Sequence, residues 1–298
     1  MGLIGYFMND FPIRLLHSGV PPTGWLHSDW SPEPTVVLSA FALAALYVVW
    51  TGPLNRRRPG SEERPVTTRQ TTYFLVGCLT YLIALSPPLD DWSDFYLLTA
   101  HMLQHMIIIF VVAPLILAGL PGWVLQPLAN NRFTNKIGWA LTRPVVAGVL
   151  STAMIVFWHV PQTYDAALRH EPIHILQHGF FLIAGLLAWW PVLGSLPAWP
   201  RIESPPVRAV YLFAYSLPAG LLGAFITLAQ PGFYPFYDNV QRIFGIDLET
   251  DQQLAGLLMW VGGSAIYGIW ITVLFLTWAS REESADREGS APQSVSIP

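Results

Sequence analysis

Residues 95–119 read FYLLTAHMLQHMIIIFVVAPLILAG, an unbroken run of twenty-five residues without Lys, Arg, Asp or Glu. An α-helix rises 1.5 Å per residue, so about 20 apolar residues cross a hydrocarbon core about 30 Å thick. The run is long enough to span a membrane and is far longer than a buried β-strand. We therefore predict a transmembrane helix that carries two histidines, His101 and His105, in its first half.

Six other stretches share this length and apolar character, and turn or cap residues mark their ends. Pro87-Pro88 follows the second stretch, Pro121-Gly122 follows the third, and Glu171-Pro172 opens the fifth. The predicted fold is therefore all-α, a polytopic membrane protein with seven transmembrane helices. We expect these helices at residues 34–52, 70–86, 95–119, 144–160, 173–193, 207–229 and 254–279.

The composition of the whole chain agrees with this fold class. Of 298 residues, 53% are hydrophobic and only 11% are charged, whereas a soluble domain carries about 25% charged residues. Such a chain cannot cover a water-exposed surface, and the single cysteine excludes a disulfide scaffold. A net charge of −4 without a clustered basic face excludes a nucleic-acid partner. The expected surroundings are membrane lipid.

Lys and Arg are distributed unevenly over the segments that connect the predicted helices. If the chain crosses the membrane seven times, the connecting segments on one side hold twelve of the fifteen basic residues. Basic residues near spans stay cytoplasmic, so we predict an external N-terminus and a cytoplasmic C-terminus. Three parts follow: an outer interfacial N-terminal segment at 1–33, a seven-helix transmembrane domain at 34–279, and a polar cytoplasmic tail, expected to be disordered, at 280–298.

All eight histidines fall on the external half in this topology. Ionisable groups inside a membrane are costly, so an intramembrane histidine is a candidate for function. Two pairs repeat the pattern HxLQH, with His101 and His105 on the third span and His174 and His178 on the fifth. Residues four apart share a helix face, and the two spans run in the same direction, so the pairs can face each other. With His159 at the end of the fourth span, we predict a shared metal site.

The other polar residues of the external side allow more than one interpretation. His17 and His27 are expected mainly at the surface, and His170 either binds a metal or caps its loop. Cys78, near the middle of the second span, is expected to be a small core residue. Seven acidic residues in the external loops either attract cations or are simply solvated, namely Asp90, Asp91, Asp94, Asp238, Asp247, Glu249 and Asp251.

The residue types alone leave the identity of the metal open. Neutral imidazoles suit zinc, copper, iron and nickel, whereas a thioether selects for Cu(I). Met102 and Met106 adjoin the histidine pair of the third span, Met154 lies five residues before His159, and Met259 enters the seventh span from the external side. Each of the four is either a ligand or a packing residue.

Three motifs occur in a fixed order along the chain. They are His101-Met102-Leu103-Gln104-His105 followed by Ala113-Pro114-Leu115, then Trp158-His159-Val160-Pro161 with Tyr164-Asp165-Ala166-Ala167-Leu168, then His174-Ile175-Leu176-Gln177-His178. In this set of motifs the chain resembles the integral-membrane CtaG family of cytochrome c oxidase assembly factors. The resemblance extends over most of the chain, from the first span to the last.

The resemblance implies a multi-pass protein of the bacterial inner membrane that supports copper-centre assembly in haem-copper oxidases. It implies that copper, as Cu(I) or Cu(II), is bound or handed on at the periplasmic side. A periplasmic copper carrier would supply the ion, and a haem-copper oxidase subunit docked in the membrane would receive it. We expect no enzymatic activity. The implied ligands are His101, His105, His159, His174 and His178, with help from Met102 or Met106.

Three other functions can be weighed on the same residues. A haem-binding electron-transfer protein could use opposed histidines as axial ligands, although all candidates lie in one leaflet. A zinc-dependent hydrolase needs a general base beside the metal, and neither pair contains the Glu of an HExxH motif. A retinal-type photoreceptor needs a lysine within a span, and the single lysine, Lys136, falls in an inner loop. Haem and zinc are therefore less favoured than copper.

Overall fold

The computed structural model describes residues 32–57 and 65–289, and within them every regular element is a helix. The first half of the chain comprises α1 (Pro34–Thr51), α2 (Pro53–Arg56), α3 (Thr68–Ala84), α4 (Leu89–Phe95), α5 (Leu98–Ile107), α6 (Ala113–Gly119), α7 (Gln126–Asn130) and α8 (Arg132–Leu141). The second half comprises α9 (Pro144–Trp158), α10 (Pro161–Arg169), α11 (Glu171–Leu193), α12 (Pro205–Leu228), α13 (Leu248–Leu257) and α14 (Gly263–Gly289).

Each of the seven predicted spans coincides with one of these helices or with two consecutive ones. Five stretches are individually long and apolar enough to cross a membrane: Pro34–Arg56, Leu98–Gly119, Glu171–Leu193, Pro205–Leu228 and Leu248–Ser284. The other two predicted spans pass this test only as bent pairs, with a bend of 45° between α3 and α4 and of 75° between α8 and α9. The described residues therefore contain five membrane-crossing helices, or up to seven if each bent pair is one span.

Two of the long helices contain a π-helical turn. Ile108–Val112 joins α5 to α6, and Leu258–Gly262 joins α13 to α14. The first turn directly precedes Pro114, which has no backbone N–H and clashes with the preceding helical turn, so the regular hydrogen-bond ladder shifts there. Turns of this kind occur frequently at functional sites.

Glycines allow several helices to approach closely, as is common in membrane bundles. A Cβ added at Gly223 of α12 would lie 2.7 Å from the backbone nitrogen of Trp260, and one added at Gly256 of α13 would lie 2.6 Å from the backbone oxygen of Gly223. The helices α12 and α13 therefore pack backbone against backbone. Large apolar side chains on the outer faces are exposed, as lipid-facing residues are, for example Phe41 of α1 and Leu221 of α12.

Both predicted terminal segments extend beyond the described residues. Of the predicted interfacial segment at 1–33, only residues 32 and 33 are described. At the other terminus, α14 continues to Gly289, ten residues beyond the predicted end of the last span. Trp278, at the end of the predicted span, donates a hydrogen bond from Nε1 to Glu282 Oε1 (3.1 Å) in this extension, an i,i+4 contact that supports a helix.

The bundle has two ends. At one end, which we call the histidine end, α5, α11 and α13 begin and α9 and α12 end. At the opposite end the loop before α12 packs against α8, where Trp199 donates from Nε1 to Asn135 Oδ1 (3.0 Å).

Candidate metal centre

The two HxLQH pairs occupy equivalent places in their helices. His101 and His105 are the fourth and eighth residues of α5, and His174 and His178 are the fourth and eighth residues of α11. The ring centroids lie 4.3 Å apart within each pair, and across the helices they are 5.5 Å apart for His101 and His174 and 5.8 Å for His105 and His178. All four side chains are buried. The predicted face-to-face arrangement of the pairs is therefore present.

His159 adjoins this cluster from the end of α9, where it is the C-terminal cap residue. Its ring centroid lies 6.0 Å from that of His105. The Nδ1 atom lies 2.7 Å from the Ile155 carbonyl oxygen, so Nδ1–H donates to it and the lone pair is on Nε2. A backbone carbonyl that holds one ring nitrogen in this way is typical of metal-binding histidines.

Several imidazole nitrogens of the cluster are buried without a hydrogen-bond partner among the described residues. They are Nδ1 and Nε2 of both His101 and His105, and Nε2 of both His159 and His174. A buried polar group left unpaired costs about 1–3 kcal/mol, so such a concentration is unfavourable unless something else binds these atoms. Neutral imidazoles that converge in this way fit a transition-metal ion.

The ligand atoms of the cluster form two groups of three. In the first group, one ligand atom each of His101, His105 and His178 lie within 4.8 Å of one another. In the second, the same holds for Asp94, His101 and His174. His101 belongs to both groups, while His159 belongs to neither and contacts the cluster through His105.

Asp94 is the residue that sequence reasoning missed as a possible ligand. It was expected among the loop charges, yet it is 6% exposed, and its Oδ2 lies 3.5 Å from His174 Nδ1. Its other carboxylate oxygen accepts a hydrogen bond from Ser93 Oγ (2.7 Å). Asp94 lies in α4, which packs against α5. The sequence did show a carboxylate four residues before the helix that carries His101 and His105. It did not show that this carboxylate is buried, because the burial of Asp94 depends on the bend between α3 and α4.

A further group of polar side chains holds the backbone around the cluster in place. Gln104 donates from Nε2 to Asp90 Oδ1 (2.8 Å), and also to the last turn of α3. Tyr234 donates to the His159 carbonyl oxygen (3.0 Å), and Tyr237 donates to the Ser93 carbonyl oxygen (2.7 Å). The loop after α12 thus fixes the segments that carry His159 and Asp94.

The beginning of α5 is capped by a residue from the last long helix. Asp251 of α13 accepts hydrogen bonds from the backbone nitrogens of Leu98 and Thr99, each at 2.9 Å, and Arg242 Nη1 lies 3.7 Å from its carboxylate. The first N–H groups of a helix have no partner inside the helix, and a carboxylate there also interacts favourably with the helix dipole. Asp251 therefore holds the helix that carries His101 and His105.

The two predicted methionines line a cleft beside the cluster. This methionine cleft is bordered by Met102, Met106 and, from the π turn of the last span, Met259. His105 and His159 form its inner wall. The cavity has a volume of about 40 Å³ and its lining is almost entirely apolar. The sequence left Met259 open as a ligand or a packing residue, because its proximity to the histidines depends on how α13 packs against α5.

A second, polar pocket meets the cluster from another side. This vestibule has a volume of about 170 Å³, and Asp94 and His174 line it together with Arg169 and Glu171. Arg169, which lines it, lies 3.7 Å from Asp165, and burial raises the pKa of the Asp165 carboxyl above its ordinary value. The vestibule is the hydrophilic approach to the cluster, and the methionine cleft is the apolar one.

Other candidates lie apart from the cluster. His170 is exposed at the start of α11, and neither group of ligand atoms includes it. Cys78 of α3 is buried in the apolar core, as expected. His17 and His27 fall outside the described residues.

The fold and the site define a multi-pass helical membrane protein with a buried histidine cluster at one end. The family model of the cytochrome c oxidase caa3 assembly factors, Caa3_CtaG, matches residues 45–281, and the chain belongs to this family. The resemblance seen in the motifs is thereby confirmed.

The curated relatives that match are uncharacterized proteins of mycobacteria. The chain is 23% identical over 269 residues to one from Mycobacterium leprae, and 26% identical over 276 residues to one from Mycobacterium bovis and one from Mycobacterium tuberculosis. The matches cover 85% to 87% of this chain but only 40% to 41% of the relatives. The chain thus spans about two fifths of their length. No solved structure matches the chain.

Proposed function

We propose that the protein is a cytochrome c oxidase assembly factor that binds copper at the histidine cluster and hands it on during maturation of a haem-copper oxidase. The family supports the assembly role. The observation that carries copper binding is the set of buried imidazole nitrogens without hydrogen-bond partners. The proposed ligands are His101, His105, His159, His174 and His178, with Met102 and Met106 at the apolar side.

The chain's own side chains would do three things for a copper ion. The rings of His101 and His105 exclude water because they are buried, and His105 stacks on Phe181 with centroids 3.8 Å apart, which fixes its plane. His159 presents Nε2 because its Nδ1–H is held by a carbonyl. The adjoining methionine cleft supplies thioethers, which stabilise Cu(I) relative to harder ions. A site with two approaches can both capture and release its ion.

The proposed topology follows from the basic residues. With seven spans, the histidine end faces away from the cytoplasm, the N-terminus is external and the C-terminus is cytoplasmic. Cytoplasmic charge is expected at the opposite end, where Arg69, Arg143 and Arg208 lie at or near the starts of α3, α9 and α12. Lys136 lies within α8 at the same end. In the bacterial inner membrane the cluster would then face the periplasm. A periplasmic copper carrier would load it, and an oxidase subunit in the membrane would unload it without a catalytic step by this chain.

The size of the methionine cleft argues against the haem alternative. Pockets that hold cofactor-sized ligands measure roughly 300–1,000 Å³, whereas the cleft beside His105 and His159 measures about 40 Å³. The cleft has room for an ion with one or two small ligands. A macrocycle between the two helix pairs would require them to move apart.

Metal analysis of the purified full chain tests the proposal. The wild type should retain copper, whereas His101→Ala combined with His105→Ala should lower the copper affinity at least about tenfold, the loss usual for disturbed metal sites. His170→Ala is the matched control, because His170 lies on the same side but outside the cluster, and it should retain copper. Equal copper in the wild type and the double variant would contradict the site. A Soret band in the same sample would favour haem.

A second measurement addresses the assembly role. Cells that lack the gene should contain oxidase with less copper and lower activity, and the double histidine variant should fail to restore either. Added copper should restore part of the activity if delivery is the missing step. Unchanged copper in the oxidase of the deletion strain would contradict the assembly role.

A further inference from the structure

The two approaches to the cluster differ in ligand chemistry. The vestibule meets the cluster at Asp94 and His174, which offer a carboxylate oxygen and an imidazole. The methionine cleft meets it at His105 and His159 and adds three thioethers. Carboxylate oxygen suits divalent ions, whereas thioether sulfur suits Cu(I). One cluster thus presents a harder face and a softer face.

The ligand atoms of the cluster also fall into two groups, one at each approach. Asp94, His101 and His174 bring their ligand atoms within 4.8 Å of one another, and so do His101, His105 and His178. Each group alone can therefore supply three protein ligands to one metal ion. The groups share His101, and both of its ring nitrogens are buried without a hydrogen-bond partner among the described residues.

We propose that the cluster has two metal positions of different chemistry rather than one. The vestibule position, on Asp94, His101 and His174, takes a divalent transition-metal ion. The cleft position, on His105 and His178 with the thioethers on the side of His105, takes Cu(I). This inference rests on the proposed copper function and adds Asp94 and the methionine cleft to it.

The shared histidine defines how the two positions relate. A neutral imidazole has one lone pair for a metal, so His101 serves one position at a time. When both positions are filled, the position that lacks His101 holds its ion with one ligand fewer and binds it more weakly. Neighbouring positions that share a ligand allow an ion to move by exchanging one ligand after another, without leaving the protein.

Two local features of the cleft support a built site rather than ordinary packing. The π turn at Leu258–Gly262 carries Met259 into the cleft, and the π turn at Ile108–Val112 lines it with Ile109 and Phe110. Both interruptions of regular helix thus border the same small space. Interruptions of this kind are frequent where helices form binding sites.

Metal stoichiometry of the full chain in nanodiscs tests the vestibule position, with Zn(II) as the divalent probe. In the wild type, Zn(II) should bind tightly at the vestibule position and more weakly, through the imidazoles of His105 and His178 alone, at the cleft position. Asp94→Asn should weaken the tighter equivalent at least about tenfold and leave the weaker one in place. Asp91→Asn is the matched control, since Asp91 is a carboxylate in the same short helix but outside both ligand groups. It should bind two equivalents.

Each other outcome has a definite meaning. One equivalent in the wild type that Asp94→Asn leaves unchanged would overturn the two-position inference while copper binding stands. Equal losses in Asp94→Asn and Asp91→Asn would also overturn it, because the carboxylates would then support the fold only. No metal in the wild type would contradict the proposed function itself. If Asp94→Asn does not fold, His174→Gln should remove the same equivalent.

Silver, a redox-inert stand-in for Cu(I), tests the cleft position. Replacing Met102, Met106 and Met259 together by Leu should weaken Ag(I) binding at least about tenfold and leave both Zn(II) equivalents in place. Met154→Leu is the control, because Met154 packs against the core outside the cleft. Unchanged Ag(I) affinity in the triple variant would overturn the thioether assignment.

Discussion

The two ends of the bundle are built from the same apolar helices but bury different chemistry. The opposite end is closed by aromatic packing, with Trp190 and Trp199 at 5.4 Å between ring centroids and each indole N–H bonded to an oxygen. The histidine end instead buries imidazoles and the carboxylates of Asp94 and Asp251. Buried polar groups cost free energy unless they are paired. One end is therefore built for packing, and the other holds the polar groups that the proposed metal site would use.

The comparison also shows how the costly end is stabilised. At the histidine end, side chains from distant parts of the chain bond to backbone: Asp251 to α5, Tyr234 to His159 and Tyr237 to Ser93. At the opposite end, contacts such as that of Trp199 with Asn135 join α8 to the loop before α12. We therefore expect substitutions at the histidine end to change metal binding and stability together, and those at the opposite end to change stability alone.

The largest effect is expected at the cap of α5. Asp251→Ala removes the acceptor for two backbone N–H groups and leaves Arg242 without its carboxylate, so unfolding should become easier by roughly 2–4 kcal/mol. Copper retention should fall as well, because α5 carries His101 and His105. Thermal unfolding and metal analysis of the same sample measure both. Glu249→Ala, at an exposed position in the same turn, should change neither stability nor copper retention. Full copper affinity in Asp251→Ala would show that the cap of α5 is not needed for the metal site.

An intermediate effect is expected at the opposite end. A Cβ at Gly138 would overlap the indole ring of Trp199, so Gly138→Ala should destabilise the protein by about 1–3 kcal/mol through overpacking. Copper stoichiometry should remain that of the wild type. Gly148→Ala provides the control, because a Cβ there meets atoms only at 3.6 Å and beyond. Loss of copper in Gly138→Ala would show that the two ends are coupled.

The smallest effect compares one hydrogen bond at each end. Tyr234→Phe removes the bond to the His159 carbonyl (3.0 Å), and Tyr211→Phe removes a similar bond to the Ala188 carbonyl (2.9 Å). Each should lower stability by about 0.5–1.5 kcal/mol. Tyr234→Phe should also weaken copper binding, since it loosens the segment that carries His159, whereas Tyr211→Phe should not. Identical copper affinities of the two variants would count against a positioning role for Tyr234.

Local sequence patterns were sufficient to predict the helices and the opposed histidine pairs. Helical periodicity depends on neighbouring residues, so the i,i+4 spacing of His101 and His105 predicts a shared face wherever the helix lies. Met102 and Met106 were likewise placed beside the cluster by their neighbours in the chain. By contrast, Pro144 marked the start of α9 in the sequence, but the 75° bend between α8 and α9 was not predicted, because a local pattern does not contain the angle between two helices.

What the sequence alone determined was the class of protein, its apolar helices and a histidine cluster at one end, because hydropathy and helical period are properties of short segments. Only the tertiary structure decided that Asp94 is buried beside His174, that Asp251 caps α5 and that Met259 lines the cleft. Asp251 lies about 150 residues from the helix that it caps. Whether a carboxylate is solvated or buried depends on which distant helix packs over it, and no local pattern contains that information.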